Sequence, residues 1–204
     1  NRLVLFPCPL QGHISPMLQL GSFLHSKGFS ITVIHTQFNS PNPSNHPDFT
    51  FFQIQDGLTA EEISSGNAIA ILLAINANCK VSFRQRLTQV MEQEPENKIT
   101  CVIYDDFMYF TEAVAKELNI PNIMLRTTSV TNFLARTALL HLHSKGHIPF
   151  PGMCHIYSLI RVQNLRLSFC KAILIPRCSF FLLITKNTTL LDCRLSVSES
   201  AAQC

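Results

Sequence analysis

Two short stretches of the chain contain the side chains best suited to acid–base chemistry. His13 follows an apolar run at residues 3–6 and a turn that contains Pro9 and Gly12. Asp105 and Asp106 directly follow a second apolar run at residues 100–104. A neutral imidazole can take a proton from a hydroxyl group, and a carboxylate on its other ring nitrogen fixes the tautomer and stabilises the imidazolium as it forms. These residues therefore predict a base and its orienting carboxylate, provided that the fold brings them together.

A second interpretation of the same residues stays open at this point. His13 could merely cap one helix, and Asp105 and Asp106 could merely cap the next helix. No serine or cysteine lies in a nucleophile-elbow motif, so under the catalytic interpretation the nucleophile is a hydroxyl group of the substrate.

The elements that must position these residues alternate between strand and helix. Gly28 is the expected cap of the first helix. Apolar and β-branched runs predict strands at residues 3–6, 30–36, 49–54, 100–104 and 122–125. Helical spacing predicts helices at 14–27, 67–93, 107–118 and 128–144, with a short helical piece within 56–66.

This alternation predicts the α/β class, with a Rossmann-like doubly wound parallel sheet in the strand order 3-2-1-4-5. In that order the first and fourth strands are neighbours, and their carboxyl ends lie on the same edge of the sheet. We therefore expect His13 and the Asp105–Asp106 pair to meet across that edge.

Charge and cysteine divide the 204 residues into a body and a tail. Residues 1–151 contain ten basic and eleven acidic side chains, whereas residues 152–204 contain six basic and two acidic ones. The body thus has no basic surface of the kind that binds nucleic acid. Its three scattered cysteines, Cys8, Cys79 and Cys101, are expected to be buried thiols of a reduced compartment, so the prediction is a cytoplasmic protein. The apolar stretch at 172–184 is too short to cross a membrane.

The tail has neither clean alternation nor a capped helix, and we expect an irregular, poorly ordered segment over residues 152–204. The tripeptide Gly152-Met153-Cys154 is what an exon end running into a GTATGT-type splice donor would encode. The hypothesis is that the tail is translated intron or the product of a shifted frame.

Other motifs add little chemistry. The turn after the first strand has one glycine, so it lacks both the GxGxxG dinucleotide fingerprint and the phosphate-loop pattern. The histidines of HLHSKGH, residues 141–147, have no nearby carboxylate or thiol in sequence, and no metal site is predicted. Thr127, after the fifth strand, either caps a helix or offers its hydroxyl to a sugar or phosphate.

The stretch LVLFPCPLQGHISPMLQLGSFLHSKGFSITVIHTQFNSPN, together with FQIQDGL, CVIYDDFMYFTEAVAKELNIPNIMLRTTSVTNF and HSKGHIPFP, resembles the amino-terminal end of plant family 1 UDP-glycosyltransferases. The resemblance covers residues 2–151. It implies the amino-terminal half of a GT-B fold and an inverting transfer of a sugar, with glucose expected, from a UDP-sugar to a hydroxyl of a small secondary metabolite or hormone. It implies no metal cofactor and a monomer that binds neither nucleic acid nor a membrane.

The same resemblance assigns roles to individual residues. It makes His13 the general base and Asp105 its orienting carboxylate, with Asp106 at a place where the family varies. Donor binding is implied for Gln11, Gly12 and Thr127, and acceptor binding for Leu10, Phe107 and Met108.

Two departures from the family pattern bear on function. The Trp-rich donor-binding motif is missing, and the chain contains no tryptophan. Arg126 stands where the family usually has a small residue, so it is expected either to disturb the sugar site or to pair with phosphate. The expectation is a truncated chain that is inactive alone. The alternatives are a non-catalytic small-molecule binding or interaction fragment and a non-functional pseudogene product.

Overall fold

The computed structural model describes residues 1–93 and 95–127, eight further positions between 135 and 146, and the segments 171–174 and 181–184. Seven strands and four helices lie in these residues. The strands are β1 (Arg2–Phe6), β2 (Ser30–Thr36), β3 (Thr50–Ile54), β4 (Ile99–Asp105), β5 (Asn122–Arg126), β6 (Lys171–Leu174) and β7 (Phe181–Ile184). The helices are α1 (Gln11–His25), α2 (Ala60–Ser64), α3 (Ala68–Gln93) and α4 (Phe110–Glu117).

The strands form one sheet in the order β3-β2-β1-β4-β5-β7-β6. The first five are all parallel, whereas β7 pairs with β5 and with β6 in antiparallel fashion. The predicted α/β class and the predicted order 3-2-1-4-5 are therefore confirmed. Strands β6 and β7 lie inside the tail for which no regular element was predicted. The rest of residues 152–204 lies outside the described residues, so the division at residue 151 stays a prediction.

The two faces of the sheet are buried by different helices, as a doubly wound fold requires. Alternate residues of a strand point to opposite faces, and the apolar core divides accordingly. Leu3 and Leu5 of β1 belong to the cluster that α1 covers, with Met17 and Leu20 at its centre. The neighbouring residues Val4 and Phe6 belong to a second cluster, which α3 and α4 cover through Ile75, Phe83, Leu87 and Val114.

Helix α1 approaches the sheet closely at Gly21. A Cβ atom there would lie 2.8 Å from Leu5 Cδ1 and 3.0 Å from a ring carbon of Phe49. Gly28 has a φ of +89°, which is strained for other residues, and it lies in the turn after α1. The prediction that it caps the helix is wrong, because α1 ends at His25 and its C-cap is Ser26.

Two helices begin three residues from their predicted starts: α1 begins at Gln11 rather than at residue 14, and α4 begins at Phe110 rather than at residue 107. The carboxylate of Asp105 accepts the backbone N–H of Phe107 at 3.0 Å, and the carbonyl of Asp105 accepts that of Met108 at 2.9 Å. These bonds hold a turn between β4 and α4, so the helix starts one turn later.

The helix predicted at 128–144 lies largely outside the described residues. Among the described residues, no helix combines the length and the apolar character that a membrane span needs.

The ring of Phe83 on α3 joins the sheet to two helices, and its loss is expected to destabilise the fold. It is fully buried, with ring centroids 4.6 Å from Phe6 and 5.7 Å from Phe110. Phe83→Ala should lower the free energy of unfolding by about 3–5 kcal/mol, because a cavity replaces an aromatic ring. Urea titration followed by circular dichroism measures this change.

Val81→Ala is the matched control on the same helix. Val81 is 65% exposed, so its truncation should change the stability by less than about 0.5 kcal/mol. Equal losses in the two variants would contradict the proposed core.

Candidate functional site

The carboxyl ends of β1 and β4 bring His13 and Asp105 together. Phe6 pairs with Tyr104 at the ends of these neighbouring parallel strands. His13 is the third residue of α1, which begins after the short turn that follows β1. His13 Nδ1 lies 2.8 Å from Asp105 Oδ2, although 92 residues separate the two along the chain. The structure thus places these two residues in contact, as the strand order predicts.

The carboxylate of Asp105 makes two separate contacts. Its Oδ1 accepts the Phe107 N–H, and its Oδ2 lies against His13. The Asp105 side chain is fully buried, whereas that of His13 is 14% exposed. A carboxylate oxygen accepts hydrogen bonds, so this contact favours the His13 tautomer that bears its proton on Nδ1 and its lone pair on Nε2.

Thr127 brings a second oxygen to the same ring nitrogen. Its Oγ1 lies 2.8 Å from His13 Nδ1, so this nitrogen has both a carboxylate oxygen and a hydroxyl oxygen within hydrogen-bond distance. The ring of Phe107 lies 5.0 Å from the His13 ring, measured between centroids. Residues at the end of β4 and directly after β4 and β5 therefore surround the imidazole.

Cys8 completes a group of three possible metal ligands. One ligand atom each from Cys8, His13 and Asp105 can be chosen so that all three lie within 4.8 Å of one another. Thiolate, imidazole and carboxylate are ligands that zinc accepts. Burial, and then the negative charges of Asp105 and Asp106, raise the pKa of the Cys8 thiol far above its usual range, so the thiol is protonated at neutral pH. Of the histidines in HLHSKGH, His143 and His147 lie outside the described residues.

Asp106 and Arg126 form a buried ion pair next to these residues. Arg126 Nε lies 3.1 Å from Asp106 Oδ2, and the two side chains are only 10% and 3% exposed. Arg126 is therefore engaged by a carboxylate inside the protein.

The remaining predicted site residues lie around the start of α1 and the turn after β4. Gln11 and Gly12 are exposed in the first turn of α1, where Gln11 donates its side-chain amide to Ser15 Oγ at 3.1 Å. Leu10 and Phe107 are half-buried, and they pack against the core cluster under α3 and α4. Met108 is fully buried within that cluster.

Asn76 on α3 supports the site but was not recognised from the sequence. Its side-chain amide donates to the Phe107 and Leu72 carbonyls, both at 2.8 Å, and its oxygen accepts the Phe110 N–H at 3.4 Å. It thereby ties the long helix to the turn that follows Asp105. The available signal was a single polar residue on the otherwise apolar, buried face of this helix.

Curated plant proteins match the chain at high identity. The chain is 47% identical over 159 residues to UDP-glycosyltransferase 76E9 of Arabidopsis thaliana, covering 76% of this chain and 35% of that protein. It is 48% identical over 146 residues to flavonol 3-O-glucosyltransferase UGT76E12 of the same species, covering 71% and 32%. The chain thus spans about a third of the length of these relatives. No family model matches the chain.

Solved plant structures share the fold. The chain is similar to Medicago truncatula UGT71G1 complexed with UDP-glucose, with a TM-score of 0.56 and 18% identity over 69% of this chain and 32% of that one. Phytolacca americana apo UGT2 gives a TM-score of 0.56 and 20% identity over 76% and 35%. At these identities the likeness shows the fold alone, a Rossmann-like half of a GT-B architecture.

The identity of nearly one half to curated plant proteins, over about three quarters of this chain, leads to one conclusion: the matched region belongs to the plant UDP-glycosyltransferase family.

Proposed function

We propose that this chain contributes the acceptor-activating half of an inverting UDP-sugar-dependent glycosyltransferase. The observation that supports this most directly is the 2.8 Å contact between His13 Nδ1 and the fully buried Asp105 carboxylate. A buried carboxylate that receives Nδ1–H leaves Nε2 as the basic nitrogen. A base oriented in this way suits the deprotonation of a hydroxyl nucleophile.

In the proposed reaction His13 Nε2 takes the proton of the acceptor hydroxyl as its oxygen attacks the anomeric carbon of the sugar. A new C–O bond forms on one face of that carbon, and the bond to the UDP oxygen breaks on the other, which inverts the configuration. Asp105 stabilises the imidazolium that results, through the hydrogen bond already present. UDP leaves with the bonding electron pair, and the proton on His13 passes to solvent.

Donor contacts are proposed for Gln11, Gly12 and Thr127. Gln11 and Gly12 lie at the amino terminus of α1, where backbone N–H groups and the helix dipole favour a phosphate. The exposed Gly12 has open space around its Cα, so a diphosphate could approach the backbone. The Thr127 hydroxyl lies beside the base, where a sugar ring would meet the acceptor.

Acceptor contacts are proposed for Leu10, Phe107 and Met108. Leu10 and Phe107 are half-buried apolar residues near His13. The Leu10 carbonyl accepts the His13 N–H at 2.8 Å, and the Phe107 ring lies 5.0 Å from the His13 ring. Met108 is fully buried, so it would shape the pocket from beneath. The relative named as a flavonol 3-O-glucosyltransferase supports glucose as the sugar and a small hydroxylated plant metabolite as the acceptor.

We further propose that the transfer needs no metal. His13 and Asp105 are hydrogen-bonded to each other, and the raised pKa of Cys8 disfavours the thiolate that a metal would bind. Within the described residues Cys8, Cys79 and Cys101 are all buried. This finding supports the proposed cytoplasmic, reducing location.

Replacing His13 tests the proposed base. The relatives are about three times as long as the matched region, so transfer is assayed in a chimaera in which residues 1–151 replace the matching part of the Arabidopsis 76E9 protein. His13→Ala should lower kcat/KM by about 10²–10⁴, the usual contribution of a positioned general base. Product formation from UDP-glucose and a flavonol is followed by chromatography.

His25→Ala is the matched control for this experiment. His25 is an exposed histidine in the last turn of the same helix, so its loss should leave kcat/KM unchanged. A His13→Ala chimaera as active as the His25→Ala chimaera would rule out the proposed base.

Removal of divalent ions tests the proposal of metal-free transfer. Dialysis of the chimaera against a chelator should leave kcat unchanged, because the base and its carboxylate act without a Lewis acid. Activity that is lost on dialysis, and restored by a single divalent ion, would show that the proposal is wrong.

The buried thiols should resist alkylation at mildly alkaline pH. Burial and the charge of Asp56 raise the pKa of Cys79 to about 12, so about 10⁻⁴ of this thiol is ionised at pH 8, and alkylation requires the thiolate. Cys8 should be protected in the same way. Iodoacetamide labelling followed by peptide mass mapping should find both cysteines unmodified in the folded chain and modified in urea. Rapid native labelling of either one would contradict the buried environment.

A further inference from the structure

Asp105 and Thr127 both contact His13 Nδ1. Each of them is the sequence neighbour of one member of the buried Asp106–Arg126 ion pair. Asp105 precedes Asp106, and Thr127 follows Arg126. The ion pair joins Asp106 to Arg126 at 3.1 Å. The contacts on His13 and the ion pair therefore lie side by side at the ends of β4 and β5. We refer to the Asp106–Arg126 pair as the brace.

We propose that the brace is a positioning device for the base: it holds Asp105 and Thr127 at the separation at which both oxygens meet His13 Nδ1–H. Asp106 and Arg126 are then positioning residues that act through Asp105 and Thr127. This inference rests on the proposed role of His13.

The backbone geometry explains why a link is useful at this place. Asp105 pairs with Leu125 at the end of the parallel ladder between β4 and β5, and the Asp106 N–H donates to the Leu125 carbonyl at 3.0 Å. Beyond this bond the chain turns away from the ladder into the 105–108 turn. The Asp106–Arg126 pair lies one residue beyond the Asp105–Leu125 pairing, and it keeps the ends of β4 and β5 from separating.

The charge of Arg126 gives the brace a second effect, which concerns the two adjacent carboxylates Asp105 and Asp106. Asp105 and Asp106 are adjacent and buried at 0% and 8% exposure, and a buried charge is weakly screened by solvent. Arg126 neutralises Asp106. Asp105 is then the carboxylate that attracts Nδ1–H, and the ring keeps one tautomer.

The tautomer of His13 can be read directly by NMR. The full 204-residue chain is labelled with ¹⁵N-histidine, and long-range ¹H–¹⁵N correlation shows which ring nitrogen bears the proton. The His13 signals are assigned by their loss in His13→Gln. In the unmodified chain the Nδ1–H tautomer should predominate.

Arg126→Met should lower the ratio of the Nδ1–H to the Nε2–H tautomer on the order of tenfold, equivalent to ~1.4 kcal/mol. Arg126→Lys retains a cation beside Asp106, so it should restore most of that ratio. Asp106→Asn should shift the ratio in the same direction as Arg126→Met. The double variant should shift it no further than the larger single change, because both changes remove one interaction.

Lys80→Met is the matched control. It removes the cation of a 2.7 Å ion pair with Glu117 on the protein surface, and it should leave the His13 tautomer unchanged. A purely structural pair would lower stability in Arg126→Met without moving the tautomer ratio, and that result would overturn the proposal. So would an equal shift in Lys80→Met.

If Arg126→Met does not fold by circular dichroism, Asp106→Asn provides the decisive measurement, because it removes the same pair with little change of shape. An unchanged ratio in folded Asp106→Asn overturns the proposal. These readouts do not involve turnover. A His13→Ala chimaera that stays active would therefore refute the proposed function while leaving the tautomer result intact, and an unchanged tautomer would refute the brace alone.

Discussion

The parallel pairing of β1 with β4 is the interaction on which the rest of the site depends. These strands are separated by nearly a hundred residues, and their neighbouring positions put the turn after β1 beside the turn after β4. The pairing is stabilised mainly by burial, because α1 covers one face of the strands and α3 and α4 cover the other. The hydrophobic core therefore brings His13 close to Asp105. The hydrogen-bond contacts of Asp105 and Thr127 at His13 Nδ1 then set the final position of the ring.

The strand order and the proximity of His13 to Asp105 could be predicted, because both follow from the alternation of strands and helices along the chain. Strands that are buried on both faces appear in the sequence as short apolar runs, and right-handed crossovers leave few ways to connect them. The order then places the ends of β1 and β4 together before any side-chain contact is known. The bounds of β2 were predicted without error, since a β-branched run lies there between Gly28 and a loop rich in asparagine and proline.

Contacts that depend on register could not be predicted in the same way. Arg126 ends an apolar strand, and its partner Asp106 follows a different one, so the pair depends on how far β4 extends beside β5. Thr127 meets His13 for the same reason. Asn76 binds mainly main-chain groups, which leave no side-chain pattern in the sequence. Helix α4 starts later than predicted because the Asp105 carboxylate holds the preceding turn. The spacing of apolar residues contains no information about this hydrogen bond.

The two oxygens of the Asp105 carboxylate make different contacts. Asp105 does not cap the next helix, because the N-cap of α4 is Tyr109. Asp56, which follows β3, shows the purely structural version: its Oδ2 accepts the Phe38 N–H at 2.7 Å, and its Oδ1 accepts the Leu58 N–H at 3.2 Å. Asp105 is the last residue of β4, and its Oδ1 likewise accepts a backbone N–H two residues further on. Its Oδ2, however, contacts His13 instead of the main chain. The turn therefore fixes the carboxylate through one oxygen, and this attachment places the other oxygen against His13 Nδ1.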